Sequence, residues 1–166
     1  MDEEPLNSRN SKESERIMTL LLGLPIFKGL DPDRLKILAP HFNVMDLPAG
    51  DTLFLEGSTS SYVCFVVKGA LDVLKRVDVG GDVVLTTLRE GRSIGEMSII
   101  DDFPRSATVK ARTDATLVIL TKDSFDRIAA ERPDLGFDIL KGLARLLSMN
   151  LRKTSARLAD YMLPLS

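Results

Sequence analysis

The residues best suited to chemistry in this chain fall in one run, Ser93 to Thr108, which reads Ser-Ile-Gly-Glu-Met-Ser-Ile-Ile-Asp-Asp-Phe-Pro-Arg-Ser-Ala-Thr. Gly95 allows backbone to approach a ligand closely and sets the carboxylate of Glu96 beside it. A short apolar turn follows through Met97, Ser98, Ile99 and Ile100. The run closes on Pro104-Arg105-Ser106-Ala107, where a guanidinium, a hydroxyl and backbone N–H groups can converge on one anion. This combination fits a small ligand with both hydroxyls and a phosphate. The carboxylate accepts from hydroxyls, while the arginine and adjacent N–H groups neutralise and orient a phosphate that water would otherwise solvate. The plainer alternative is an ion pair between Glu96 and Arg105 across a surface loop.

The segments that must position this run change texture along the chain. Residues 1–14 are polar, with Asp2, Glu3, Glu4 and Pro5, and read as a disordered tail. Ile17, Leu20, Leu21 and Leu24 recur at helical spacing, with Ser14 as N-cap, until Gly23 and Pro25 stop the helix. Asp31-Pro32 opens a second short helix with Leu35 and Leu38 inward, ending before Pro40. From Phe42 to Thr121 short apolar runs alternate with turn residues. Strands are expected at Leu53–Leu55, Tyr62–Val67, Leu71–Val77, Val83–Leu88, Ala107–Ala111 and Leu117–Leu120, with Gly80-Gly81 closing a tight hairpin. Many short strands at near-regular spacing predict an antiparallel sandwich or jelly roll, in an α+β chain overall. Past Thr121 the helical period returns. Asp123-Ser124 is expected to cap a helix carrying Phe125 and Ile128, and Pro133 to begin a longer one. Leu140, Leu143, Leu147, Leu151, Thr154, Leu158 and Met162 form one stripe on that helix. The expected division is therefore 1–14, 15–132 and 133–166.

Composition bounds the function. The chain has 166 residues, 44% hydrophobic and 28% charged, enough for one domain with a core of useful size. A net charge of -2 argues against nucleic-acid binding over the whole surface. The basic residues Arg145, Arg152, Lys153 and Arg157 on the last helix read as a solvated face. The single cysteine, Cys64, excludes a disulfide framework within the chain and fits a reducing compartment. It lies in an apolar strand, as a buried small hydrophobe would. The single histidine, His41, cannot supply a metal-ligand cluster and is expected to cap a helix end or sit at the surface. No apolar run is long enough to span a bilayer, so no membrane association and a cytoplasmic setting are expected.

Gly95-Glu96-Met97-Ser98-Ile99-Ile100 and Pro104-Arg105-Ser106-Ala107 resemble, in identity and spacing, the phosphate-binding cassette of the cyclic nucleotide-binding domain family, which includes the catabolite activator protein and the regulatory subunits of protein kinase A. The segment Leu24-Pro25-Ile26-Phe27 with Gly29-Leu30, and the turns Ala49-Gly50, Glu56-Gly57 and Lys68-Gly69, extend the resemblance over nearly the whole domain. It implies a β-roll of about eight strands with N-terminal helices and a long C-terminal helix that serves as lid and dimer seam. It also implies roles. Glu96, with the backbone of Gly95, holds the ribose 2′-hydroxyl, and Arg105 pairs with the cyclic phosphate, helped by Ser106 and the N–H of Ala107. Met97 and Ser98 belong to the short cassette helix beside the same anion. Val73, Leu85 and Thr86 fall where strands flank the base, and Asn150 where a long-helix residue reaches the adenine amino group from the partner subunit. Serine at 106 leaves cAMP and cGMP both open.

Departures from the family pattern are few. Ile94 stands where many members have phenylalanine. Ser60 and Ser61 replace acidic or polar residues common before the third strand and read as neutral loop variation. After Met162 only Leu163-Pro164-Leu165-Ser166 follow in the sequence, so the expectation is a stand-alone receiver without a helix-turn-helix, passing its signal by dimerisation or to a separate downstream protein. The ligand expected is cAMP ahead of cGMP, with no cofactor, no catalysis and a homodimer through the last helix. The competing reading is an assembly protein that keeps the fold with a degenerate pocket, or one that reads a cyclic dinucleotide.

Overall fold

In the computed structural model, backbone is described for residues 6–162 and side chains from residue 11 onward. Helix α1 spans Leu6–Leu22 and α2 spans Pro32–Leu38, each followed by a short 3-10 turn, Pro25–Phe27 and Ala39–His41. Eight strands follow: β1 Asn43–Leu47, β2 Thr52–Phe54, β3 Tyr62–Lys68, β4 Ala70–Val77, β5 Gly81–Arg89, β6 Ser93–Ile94, β7 Thr108–Ala111 and β8 Ala115–Thr121. Helix α3, Met97–Ile100, lies between β6 and β7, and α4 (Lys122–Glu131) and α5 (Pro133–Met162) close the chain. The strands form two four-stranded antiparallel sheets, in the orders β1-β8-β3-β6 and β2-β7-β4-β5. This is the expected roll with flanking helices.

One apolar cluster fills the space between the sheets, with Val66, Leu71, Val109 and Leu117 fully buried. A second joins the helices to the outer side of the first sheet. There Leu21, Leu35 and Leu38 meet Val63, Val118 and Leu120. Leu135, Ile139 and Leu143 of α5 belong to this second cluster, so residue 133 marks a change of element and not of core. Their spacing of four places them on one helix face, and burying each contributes about 1.5–3 kcal/mol. From Leu151 to Met162 every residue of α5 is exposed. The stripe expected from Leu140 to Met162 is therefore buried only at Leu143 and partly at Leu147, and its distal half lies off the roll.

Three local expectations are corrected. The first helix begins at Leu6, not after Ser14, so residues 6–14 of the expected tail are helical, and residues 1–5 lie outside the described residues. No glycine or proline interrupts the chain between Leu6 and Leu22, so a helix anchored by Ile17 and Leu21 propagates backward at little cost. Helix α4 is capped by Thr121, whose hydroxyl accepts from the Ser124 N–H at 3.1 Å, and not by Asp123-Ser124. Strands β1 and β6 were not expected. The first is an edge strand with an exposed Asn43 and Asp46, and the second is two residues long, so neither carries an apolar run.

Candidate ligand-binding site

The β6–α3 turn and the segment before β7 wall a cleft of about 120 Å³, open to solvent, against Phe54, Val73 and Val109 of the second sheet. Gly95 makes the turn possible. Its φ is +90°, and a Cβ there would collide with Arg105 Nη1 and stand 2.6 Å from the Tyr62 carbonyl oxygen. The space that glycine opens is thus taken by Arg105 and the β3 backbone.

Arg105 is only 5% exposed. Its backbone is pinned to the β2–β3 loop: its N–H donates to the Ser58 carbonyl and its carbonyl accepts from the Gly57 N–H, both at 2.8 Å. Its side chain donates from Nε to Ser60 Oγ (3.2 Å), from Nη1 to Ser98 Oγ (2.9 Å) and from Nη2 to the Tyr62 carbonyl (2.9 Å). The guanidinium carbon lies 4.0 Å from the Phe54 ring centre and 4.6 Å from that of Tyr62. Every one of these partners is neutral. Burial holds the guanidinium below its ordinary pKa, opposed by Tyr62, Cys64 and Glu96, and an arginine stays protonated regardless.

Glu96 is 4% exposed and accepts from the hydroxyl of Ser93 at the end of β6. It forms no ion pair with Arg105, although its charge favours the protonated guanidinium. The surface ion pair is therefore not what these residues make: two opposite charges are buried at one cleft without touching. A desolvated charge without a charged partner is costly, and an ion or polar ligand completes such a site. Lys75 of β4 flanks the same wall, pairing with Glu56 and donating to the Ser106 carbonyl at 2.8 Å. Its hydrogen bond holds the Glu56 carboxyl below its ordinary pKa, against the opposing effect of burial. The cassette is tied to α4 by Lys122, which donates to the Ile99 carbonyl at 3.3 Å and lies 3.7 Å from Asp102.

Of the residues expected at the site, Gly95, Glu96, Met97, Ser98, Arg105, Ser106, Ala107 and Val73 line the cleft. Leu85 and Thr86 do not. Thr86 pairs with Val73 across the β4–β5 ladder, whereas Leu85 falls at a bulge between the Val73 and Leu74 registers and is 55% exposed. Asn150 lies in a separate cavity with Met149, Arg145 and the Glu90–Ser93 turn, so within one chain it is not brought to the cleft. Phe54, Tyr62 and Ser60 reach the site from outside the Ser93–Thr108 run, and Ser93, which opens that run, takes the unexpected role of donor to Glu96. Ser60, expected to be neutral loop variation, is one of the two hydroxyls that accept from the Arg105 guanidinium. Cys64 is buried as expected, and its thiol is pushed up to about 12, mainly by burial. His41 ends the second 3-10 turn, half-buried.

The sequence profile of the cyclic nucleotide-binding domain matches residues 44–132, which hold every strand from β2 to β8 and the whole cleft. The chain belongs to that family. It is 30% identical over 137 residues to a CRP-like cAMP-activated global transcriptional regulator of Mycobacterium tuberculosis, covering 82% of this chain and 59% of that one. It is 29% identical over 120 residues to a cAMP-dependent protein kinase regulatory subunit of Blastocladiella emersonii, covering 72% of this chain and 30% of the other. The crystal structure of a cyclic nucleotide-binding domain from Methylobacillus flagellatus superposes with a TM-score of 0.80 at 26% identity, over 92% of this chain and 85% of that one. The chain thus spans less than two thirds of either relative. No described helix is long and apolar enough to cross a membrane.

Proposed function

We propose that this chain is a regulatory receiver for a cyclic mononucleotide, cAMP ahead of cGMP, which signals by repositioning α5. One observation carries the reading: Glu96 and Arg105 are both buried at one cleft, and neither is in an ion pair among the described residues. A cyclic phosphate supplies the anion that Arg105 lacks, and a ribose 2′-hydroxyl gives Glu96 a second donor beside Ser93. Ser106 and the Ala107 N–H stand where they assist at the phosphate, with Met97 and Ser98 beside it. Val73 offers the base an apolar strand, with Thr86 paired to it on the neighbouring strand and Leu85 at the adjacent bulge. That the relatives are named for cAMP supports this ligand over a cyclic dinucleotide or an emptied pocket.

The exposed distal half of α5 is the surface for a homodimer, from which Asn150 of a second copy reaches the base. Lys122 and the α4–α5 pair carry motion of the cassette to that helix. In this reading the domain itself performs no catalysis, works in the cytoplasm and takes neither nucleic acid nor membrane as a partner. Titration with cAMP and cGMP, followed by amide exchange over α5 and sedimentation, tests this. The expected result is saturable binding, cAMP the tighter, with altered protection from Leu140 onward in a dimer. Absence of binding by either nucleotide at millimolar concentration would overturn it.

A further inference from the structure

Arg105 sits within the cassette, and apart from Ser98 the groups that hold it come from outside. Phe54 ends β2 and Tyr62 begins β3, and their rings lie 6.1 Å apart at 72°, forming a wedge that the guanidinium fills. The wedge is itself fixed, because the Tyr62 hydroxyl donates to the Leu53 carbonyl at 3.1 Å. Three of the five guanidinium N–H groups are used on Ser60, Ser98 and the Tyr62 carbonyl, which leaves two for a ligand.

The aromatic faces matter for what they do not do. A ring attracts a cation through its quadrupole yet leaves the full charge in place, whereas a carboxylate at the same point would neutralise it. A planar guanidinium can meet two ring faces and still point N–H groups along its edge, and a lysine ammonium cannot. Resting on the reading of the cleft given above, we infer that Phe54 and Tyr62 are positioning residues that hold Arg105 desolvated, oriented and uncompensated for the ligand's phosphate.

The test is cAMP titration of Phe54→Leu, Tyr62→Leu and Tyr62→Phe, each alone and combined with Arg105→Ala. It is joined by an NMR measurement of solvent exchange at the Arg105 Nε–H in the ligand-free wild type, which needs no variant to fold. The leucine variants are expected to weaken cAMP binding about three- to thirtyfold, the range of a desolvated cation–π contact. Tyr62→Phe keeps the ring and loses only the hydroxyl that anchors it, so it weakens binding less than Tyr62→Leu does. In the Arg105→Ala background the leucine effects shrink to within about twofold, because they act through the arginine. The Nε–H exchanges slowly. Leucine variants that bind as wild type does, losses of the same factor without Arg105, or an Nε–H that exchanges like that of free arginine would each overturn the inference while wild-type binding leaves the ligand reading standing. A wild type that binds no cAMP brings down the ligand reading, and the positioning role with it, even if the Nε–H is protected.

Discussion

Glu96 and Arg105 are each expensive to bury, and the neutral groups around them explain how the fold tolerates both. Ser93 gives the Glu96 carboxylate a hydroxyl donor, while Arg105 spends three N–H groups on two hydroxyls and a carbonyl. Charge-assisted hydrogen bonds of this kind contribute about 1.5–3 kcal/mol each. Ser93→Ala removes the hydroxyl that donates to Glu96, its one hydrogen-bond donor among the described residues, and it is expected to cost about 1–3 kcal/mol in urea denaturation, with Ser93→Thr restoring most of it. An unchanged denaturation midpoint would mean that Glu96 does not depend on Ser93. The cassette itself was legible in the sequence because its groups are contiguous and match the family's motif in residue type and spacing. Phe54, Ser60 and Tyr62 were not legible as site residues. They reach Arg105 from β2, β3 and the loop that joins them, and nothing in their types or local pattern separates them from ordinary core and loop positions.

At the level of elements, α5 is seated by close packing and by charge. Gly142 lies against the 3-10 turn Pro25–Phe27, where a Cβ would collide with Ile26 Cγ1 and stand 3.0 Å from the Ile26 carbonyl. Arg34 of α2 pairs with both Asp134 and Asp138, one turn apart on α5. Gly142→Ala is therefore expected to overpack this contact and destabilise the fold by about 1–3 kcal/mol, despite alanine's better helix propensity. A thermal melt at or above the wild-type midpoint would contradict this seating of α5. Helices α2 and α5 were legible from proline starts and apolar period. The early start of α1 was not, because its first turns contain no apolar anchor and follow from propagation. Strand β1 was hidden by its polar edge residues. The strands that carry long apolar runs, β3 and β8, were legible because both pack centrally in the first sheet.

The whole molecule divides its labour between a packed roll and a helix that leaves it. The proximal half of α5 shares the helical core, while Leu151, Leu158 and Met162 remain uncovered in a single chain. The cleft lies on the second sheet, and the Lys122 contacts to the Ile99 carbonyl and Asp102 connect its cassette to the α4–α5 pair. The architecture was legible from strand spacing and turn glycines. The path of α5 was not, because whether an amphipathic helix packs on its own roll depends on length and angle that periodicity leaves open, and the position of Asn150 shows it. The claim on which everything rests is that a ligand completes two buried, uncompensated charges at one cleft. Calorimetric titration of cAMP into the wild type, Arg105→Ala and Glu96→Ala measures it directly. Removing either group is expected to weaken binding at least about tenfold, the cost of one charge-assisted contact, with both variants still folded. Binding by either variant within about twofold of the wild type would contradict it.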